Sequence, residues 1–309
     1  MAPPRYLTMK RSAKRIFLFI GLGFLLISGA MTLLHSDVVL RAFHSYQNGT
    51  LTMEKFRLDL ASFDIGRKSS VVPVDMRISP ADGMVQVLVP EGEFVMGIGD
   101  EHQFSNSPRH RVYLDAFWMD QVEVTNAMYL KCIRAGGCSK PVTDNVYYDR
   151  WVYRNHPMIY VVWDQAQAYC QWTGRRLPSE AEWEKAARGV NSNDYPWGND
   201  PPTARLANFD ETLILEAVPS YRYPLGASPY GALNMAGNVR EWVADWFDKE
   251  YYTYSPYANP AGPASGKKRS LRGGSYIENA SEIAVYNRFS HNPVSAGLNR
   301  GFRCAQNAK

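Results

Sequence analysis

Histidine and cysteine, the side chains that hold most transition metals, are scarce in this chain of 309 residues. It has six histidines and four cysteines. His102, His110, His156 and His291 are scattered along the sequence and form no local motif. Non-haem iron is typically held by two histidines and a carboxylate that meet at one centre. The histidine pattern therefore does not indicate an iron site.

The sequence also lacks a phosphate-binding lysine loop and a broad excess of one charge. The glycine pair in "LRGGSY", residues 271–276, is not followed by the Gly-Lys-Ser/Thr and helix of a Walker loop. The net charge is +4, and much of the surplus lies in residues 1–15, where the bases face no acid. The remainder is close to neutral, so nucleic acid is not an expected partner.

One uncharged apolar run, residues 16–34 ("IFLFIGLGFLLISGAMTLL"), is long enough to span most of a bilayer core as a helix. The basic residues 1–15 precede it, so the positive-inside rule keeps them cytoplasmic and exports the rest. The run is predicted to be a transmembrane signal anchor, with the bulk of the protein extracytoplasmic. The alternative is a cleaved signal peptide, which would make the protein secreted.

The four cysteines fit an oxidising compartment. Cys132 and Cys138 bracket "IRAGG", whose glycines would let the chain double back, and Cys170 and Cys304 are the other possible pair. Four cysteines permit three connectivities, and their spacing alone does not choose between them. A zinc site is the alternative, but it favours Cys-x2-4-Cys spacing with a histidine nearby. Disulfides are therefore predicted.

The chain after the apolar run divides at Asp82. Residues 35–81 have weak periodicity and scattered charge and are predicted to be a stalk or linker. Residues 82–309 are predicted to form one α+β domain with few helices and much irregular structure. In this domain "GMVQVLVP" and "GEFVMG" alternate like the strands of a hairpin whose turn is residues 90–92. Residues 109–125 are also rich in strand-forming side chains.

Three segments of the domain have helical spacing and terminal signals. The third, "LPSEAEWEKAARG", has a serine followed three residues later by a glutamate, which predicts a capping box. The first is predicted to be capped by Thr125 or Asn126, and the second to be capped by Asp164 and to end at Gly174. The third is predicted to be capped by Ser179 with Glu182 and to end at Gly189.

Seven motifs then occur in an order that resembles the formylglycine-generating enzyme family, also called the sulfatase-modifying factor family. They are "GEFVMG", "VEVTNAMY", "RRLPSEAEWEKAARG", "YPWGN", "NMAGNVREWVADW", "LRGGSY" and "NRGFRCA". The resemblance implies a C-type-lectin-like core elaborated with long irregular segments. It also implies a disulfide between Cys170 and Cys304, which leaves Cys132 to pair with Cys138. The family includes oxidases that convert a sulfatase cysteine to formylglycine.

In those oxidases the strand after Gly-Gly-Ser-Tyr/Trp carries two cysteines, five residues apart, that bind copper(I). The matching positions here are Glu278 and Ile283. Copper(I) prefers soft thiolates, so the resemblance implies that this chain lacks the copper site. Glu278, and Ser275 beside it, are the candidate catalytic residues, since a carboxyl in an aromatic-lined pocket can act as an acid or base. The alternative for Glu278 is a surface carboxylate at a strand end, solvated or paired with Arg288 or Arg272.

Calcium is the metal that the resemblance does imply. In the family, the loop matching "NMAGNVREW" binds calcium, which assigns Asn234, Gly237, Val239 and the side chain of Glu241 as ligands. Oxygen ligands from a tight turn suit this ion. A second family site would use Asn208 and Phe209, with Asp210, Glu211 or Glu216 in place of a missing aspartate. The alternative is an empty turn held by hydrogen bonds.

Two functions are consistent with these patterns. The first is a membrane-anchored binding domain without copper chemistry that recognises a peptide, glycan or protein partner. The alternative is an oxidoreductase of the formylglycine-generating type, or a cysteine-independent relative, that modifies a protein cysteine or a small molecule. Fold alone does not choose between them.

Overall fold

The computed structural model describes residues 75–101, 104–142 and 147–308. The predicted anchor at residues 16–34 and most of the predicted linker lie outside these ranges. Within them, no helix is both long enough and apolar enough to span a bilayer. The first strand, β1 (Met76–Ile78), lies in the segment predicted to be a linker, and it pairs with the strand that follows.

Three α-helices occur in the described residues, in the three segments whose spacing predicts them. They are α1 (Asn126–Arg134), α2 (Trp163–Trp172) and α3 (Glu180–Arg188). The hydroxyl of Thr125 accepts a hydrogen bond from Met128 N and caps α1. Ser179 and Glu182 form the predicted capping box of α3. These caps satisfy N–H groups that a helix leaves unpaired at its start.

The predicted cap of α2 at Asp164 is wrong. The helix begins at Trp163, and Asp164 lies in its first turn. The side-chain oxygen of Gln165 accepts a hydrogen bond from Val162 N at 3.2 Å. This bond supplies one half of a capping box, so the helix starts without a polar cap residue. Short 3-10 helices lie at Trp151–Tyr153, Asp210–Thr212, Pro224–Gly226 and Tyr251–Thr253.

The strands of the described segments form three sheets, and their pairing is antiparallel except between β6 and β9. The first sheet has the order β1-β2-β5-β10, the second pairs β3 with β4, and the third has the order β8-β7-β6-β9. We call the third the C-terminal sheet. The remaining strands are β2 (Val85–Val89), β3 (Gly92–Met96), β4 (His110–Leu114), β5 (Phe117–Asp120), β6 (Arg240–Trp246), β7 (Arg269–Arg272), β8 (Phe289–His291), β9 (Arg300–Phe302) and β10 (Ala305–Asn307).

The predicted hairpin between β2 and β3 is wrong. Strand β2 pairs with β1 and β5, whereas β3 pairs with β4. Both strands bury alternate side chains, Val87 and Val89 in one and Phe94 and Met96 in the other, in the same apolar core. Alternation identifies a strand and its buried face, but it does not identify the strand's hydrogen-bonding partner. The two strands therefore enter different sheets around a shared core.

Both predicted disulfides are confirmed. Cys132 pairs with Cys138, and Cys170 pairs with Cys304, which leaves no free cysteine. The first closes a separation of 6 residues and the second a separation of 134. Closing the longer loop restricts the unfolded chain more, at least in the chain-entropy model. The Cys170–Cys304 bridge ties α2 to the segment between β9 and β10.

Helix α3 is held against the C-terminal sheet by buried ion pairs. The guanidinium of Arg272, at the end of β7, lies 2.5 Å from Glu184 and 3.2 Å from Glu180. Arg288 contacts Glu180 through Nε at 2.8 Å and through Nη2 at 2.9 Å. All four side chains are almost completely buried. Charges buried this deeply require their partners, because each one has lost its hydration.

We expect replacement of Arg272 by methionine to lower the free energy of unfolding by about 3–5 kcal/mol, because it leaves buried carboxylates without their guanidinium. Arg176→Met is the matched control. Arg176 pairs with Glu182, which also belongs to α3, at 2.6 Å, but the Arg176 side chain is 41% exposed. Removing that pair should cost less than about 1 kcal/mol. Equilibrium urea unfolding measures both, and equal losses would contradict the prediction.

Asp245, in β6, contacts the first residue of α3. Its Oδ2 accepts a hydrogen bond from Glu180 N at 2.8 Å. Burial, followed by the charge of Glu180, raises the pKa of Asp245 to about 8. The carboxyl is therefore protonated at neutral pH in the folded protein but ionised in an unfolded chain.

This difference predicts a pH dependence of stability. Between the ordinary aspartate pKa of 3.8 and about 8, the folded state binds the Asp245 proton and the unfolded state does not, so stability falls as pH rises. Asp245→Asn keeps a neutral acceptor and removes this proton. Urea unfolding between pH 5 and 8 should show wild type losing stability relative to the variant as pH increases. Parallel pH profiles for the two proteins would refute the assignment.

Candidate functional site

The segment that follows β7 makes a tight turn before it reaches Glu278. Gly273 and Gly274 have φ of 92° and 68°, in the left-handed region that favours glycine. A Cβ on Gly274 would lie 3.0 Å from the Cα of Ile283. The turn therefore brings Ser275 and Glu278 back against the C-terminal sheet. Residues 275–288 form turns rather than the strand that the family resemblance implies.

Glu278 is buried and its carboxylate has two side-chain partners. Arg240 Nη2, from the start of β6, lies 2.5 Å from Oε1, and the hydroxyl of Ser275 donates to Oε2. Asn299, which precedes β9, donates to the Ser275 oxygen at 3.2 Å. We call Arg240, Ser275, Glu278 and Asn299 the Glu278 site. It joins three segments that are distant in sequence.

The partner of Glu278 differs from the pairings considered for it. Arg272 and Arg288 both contact Glu180 instead. Because a guanidinium holds one oxygen of Glu278 and a hydroxyl holds the other, the carboxylate is fixed in position and charge-compensated. A catalytic role for Glu278 or Ser275 stays a prediction.

The residues at the family's copper positions do not fit copper(I). Ile283 is fully buried and packs with Ala207, Phe209 and Ala236. Its side chain has no ligand atom, and Glu278 offers a hard oxygen already bound to Arg240. Every cysteine of the chain is in a disulfide. Among the described residues, no group of three or more His, Cys, Asp or Glu side chains could hold a metal ion.

The first predicted calcium loop, residues 234–241, is tightly held. Asn234 adopts a left-handed φ of 56°, and its Nδ2 donates to Glu123 at 3.0 Å and to the carbonyl of Ser220 at 2.8 Å. Its Oδ1 is buried without a hydrogen-bond partner. That oxygen is a free acceptor of the kind calcium takes.

The carboxylate of Glu241, the predicted side-chain ligand, is already engaged. Arg303 donates to both oxygens at 2.7 Å, and the indole of Trp183 donates to Oε2 at 2.7 Å. Oε1 thus accepts one described side-chain bond and Oε2 accepts two. Glu241 serves first as the buried partner of Arg303, and a cation there would have to share Oε1 with it.

Glu123 belongs to this network, and the sequence analysis missed it. Its two oxygens accept from Asn234 at 3.0 Å and Asn238 at 2.7 Å. Burial, with a contribution from the charge of Glu241, raises the pKa of Glu123 to about 7. The signal in the sequence is an acid between two valines in "VEVT", which alternation alone would place toward solvent. Instead the valines and the acid are all buried.

The second predicted calcium loop contacts the first. Gly237 packs so closely on Asn208 that a Cβ would lie 2.2 Å from the Asn208 carbonyl oxygen. The Oδ1 of Asn208 accepts from the Thr212 hydroxyl at 3.0 Å, and Phe209 is in the apolar core. The side chains of the three acids proposed to complete this site are exposed: Asp210, Glu211 and Glu216. Side-chain hydrogen bonds thus hold Asn208 in place.

The fold and the site together define a mixed helix-and-sheet protein with few helices, built on the formylglycine-generating enzyme fold. Residues 74–308 match the family model of the sulfatase-modifying factor enzyme 1-like domain. The chain therefore belongs to the sulfatase-modifying factor family, as its motifs predict. A C-type-lectin-like core stays a prediction.

Three relatives illustrate the range of the family. The chain is 35% identical to the formylglycine-generating enzyme of Streptomyces coelicolor, over 72% of this chain and 89% of that one. It is 34% identical to the serine/threonine-protein kinase pkn1 of Chlamydia pneumoniae, over 72% of this chain but only 38% of the kinase. It is 32% identical to the hercynine oxygenase of Mycolicibacterium smegmatis, over 73% of this chain and 62% of that enzyme.

Among solved structures, that of PvdO from Pseudomonas aeruginosa superposes with a TM-score of 0.65 at 25% identity. The match covers 75% of this chain and 98% of PvdO. The superposition and the family match agree on the fold of the described part of the chain.

Proposed function

We propose that this protein is a copper-independent member of the family whose Glu278 site recognises a ligand. One observation carries the proposal: Glu278 and Ile283 stand at the two copper-thiolate positions, and every cysteine is in a disulfide. Copper(I) chemistry of the family type requires two free thiols at those positions. In their place are Glu278, which is ion-paired with Arg240, and the buried apolar side chain of Ile283.

The Glu278 site has the properties of a recognition site. The side chain of Arg240 is 23% exposed, so part of it faces solvent. Its Nε is buried without a hydrogen-bond partner. Glu278 orients the guanidinium from one side through Nη2. A pre-oriented guanidinium loses little side-chain freedom when it binds.

The proposed setting is extracytoplasmic. The apolar run at residues 16–34 follows a basic segment, which supports a membrane anchor with the domain outside the cytoplasm. The two disulfides support the same side of the membrane, because such bonds persist in oxidising compartments. A peptide, a glycan or a protein is the class of partner proposed, and nucleic acid is not.

The relatives favour a second candidate, an oxidoreductase. The identity of 35% over 89% of the Streptomyces coelicolor formylglycine-generating enzyme supports an enzyme that modifies a protein cysteine or a small molecule. The hercynine oxygenase relative extends this to small-molecule oxidation. In this alternative Glu278 and Ser275 would orient the substrate or move one of its protons. The electrons would pass to molecular oxygen through a redox centre other than a thiolate pair, since every cysteine is in a disulfide.

Copper binding and oxygen consumption separate the two candidates. Purified full-length protein with its disulfides intact should retain no stoichiometric copper after loading with copper(I) and dialysis. It should also consume no oxygen above background with a cysteine-containing peptide. The engineered control is Glu278→Cys/Ile283→Cys, which restores two thiols at the family spacing and should retain copper(I).

Stoichiometric copper on the wild-type protein would overturn the proposal. So would peptide-dependent oxygen consumption that Glu278→Ala abolishes while Arg205→Gln, a change at an exposed arginine, leaves it unchanged. Plasma mass spectrometry measures the metal, and an oxygen electrode measures the reaction.

We also propose a structural calcium ion in the loop of Asn234, Gly237, Val239 and Glu241. The unpartnered Oδ1 of Asn234 supports it, as does the surrounding charge. Glu123 and Glu241 are both buried beside a single guanidinium, that of Arg303. A divalent cation would offset the second carboxylate. The hydrogen bonds of Asn208 and the exposure of the neighbouring acids make the second loop the weaker site.

Calcium should therefore raise the thermal stability of the protein. At a calcium concentration of about 100 times its Kd, the gain in unfolding free energy is about 2.7 kcal/mol. We expect EGTA to lower the melting temperature and excess calcium to restore it. Asn234→Ala should lose this response, whereas Asn191→Ala, at an exposed asparagine, should keep it. A melting temperature that does not change when EGTA is added would exclude a structural calcium ion.

A further inference from the structure

One face of the C-terminal sheet carries arginines next to the Glu278 site. Arg240 of β6 and Arg300 of β9 are register partners in a parallel pair, so their side chains leave the same face. Trp242 pairs with Leu271, and Leu271 pairs with Phe289. Because Arg240 lies two residues before Trp242, it shares this face with Phe289. The guanidinium carbon of Arg240 lies 4.1 Å from the centre of the Phe289 ring.

Arg300 has no acidic partner among the described residues. Its Nη2 donates to the carbonyl of Ala296 at 2.8 Å, and its Nη1 donates to that of Ser295 at 3.4 Å. Its Nε is buried without a partner. Burial, followed by the charge of Arg240, lowers the pKa of Arg300. The guanidinium is thus partly desolvated and uncompensated, in contrast to the paired buried arginines of the core.

Lys268 extends the positive charge, and His291 lies among these cations. His291 lies two residues beyond Phe289 on the same face. Burial lowers the pKa of His291 most, and the neighbouring charges that lower it further are those of Arg300, Lys268 and Arg240. Lys268 is exposed and makes no ion pair within the described ranges. We call Arg240, Lys268, His291 and Arg300 the Arg300 cluster.

Within the described ranges, the carboxylate that pairs with the Arg300 cluster is that of Glu278, which is held by Arg240. The charge of Arg300 has no described acid opposite it. The Nε atoms of Arg240 and Arg300 have no described hydrogen-bond acceptor. A guanidinium matches the two oxygens of a carboxylate, sulfate or phosphate with parallel N–H donors. Stacking on Phe289 keeps the plane of Arg240 fixed. An anionic ligand would satisfy these donors, whereas a cationic one would be repelled.

We infer that the Arg300 cluster binds an oxyanion group of the ligand, with Arg300 as the main contact and Arg240 as the second. This inference rests on the proposed function, because it names the chemical class that the Glu278 site recognises. A carboxylate, a sulfate and a phosphate share the required geometry. The ligand's remaining atoms lie toward Phe289 and the Glu278 site.

Calorimetric titration of the full-length protein with sodium sulfate, sodium phosphate and sodium acetate, at constant ionic strength, tests the inference. We expect saturable binding of at least one anion. Arg300→Gln should weaken it by about tenfold or more, because a charge-assisted hydrogen bond is lost. Arg300→Lys should bind with intermediate affinity, since it keeps the charge but not the forked donors. Arg205→Gln, at an exposed arginine, should bind like wild type.

Melting temperatures measured without added anion confirm that each variant is folded, and Arg240→Gln provides an independent second variant if Arg300→Gln is not. Equal affinity of wild type and both glutamine variants would overturn the inference, as would the absence of binding to all three anions. Preferential binding of arginine amide would overturn it as well. Binding only to vesicles that contain phosphatidylglycerol, with no response to the soluble anions, would point to a membrane surface and also overturn it.

The outcome is separable from that of the copper test. Copper retention or oxygen consumption would refute the proposed function whether or not sulfate binds at Arg300. If the protein binds neither copper nor any of the three anions, only the proposed class of ligand, an oxyanion, is refuted.

Discussion

The ion pairs of Arg272 with Glu180 and Glu184 are the contact on which the arrangement of the site depends. They join α3 to the last residue of β7, and the chain enters the Gly273–Gly274 turn directly afterwards. Because the turn starts from a residue that buried charges hold in place, Ser275 and Glu278 have little freedom of position. A buried ion pair contributes little net stability compared with apolar side chains of similar size, but it can favour one arrangement of the chain over others. We infer that this is its role here.

The family scaffold is retained around a different chemical centre. The capping box of α3, the Cys170–Cys304 disulfide and the Trp183–Glu241–Arg303 contacts build the framework. At the two positions where the resemblance to the copper oxidases implies thiols, this chain has an acid bound to an arginine and an isoleucine packed in the core. A fold can keep its packing while its site changes, because packing and site chemistry depend on different side chains. The proposed recognition function follows from that separation.

Prediction from the sequence succeeded for most local features, with the cap of α2 at Asp164 as the exception, and failed for long-range ones. The extents of the helices follow from periodicity and capping, both of which act over a few residues. The β2–β3 hairpin failed because pairing is decided across the core rather than by the intervening turn. Glu123 was missed because alternation treats every second residue as solvent-facing, whereas Glu123 follows the end of β5 and its carboxylate accepts from the buried Asn234 and Asn238. The cysteine pairs were predicted correctly only because a family resemblance supplied their connectivity.

The sequence by itself determined the family, the three helices and the loss of the two thiols, since each is carried by residue identity or short spacing. Only the tertiary structure decided that Glu278 pairs with Arg240, that Glu241 pairs with Arg303, and that Arg300 has no acidic partner in the described part of the chain. The first two contacts join residues 38 and 62 positions apart. Many arginines could reach either acid, and the choice among them is made by strand register and burial, which no local pattern records.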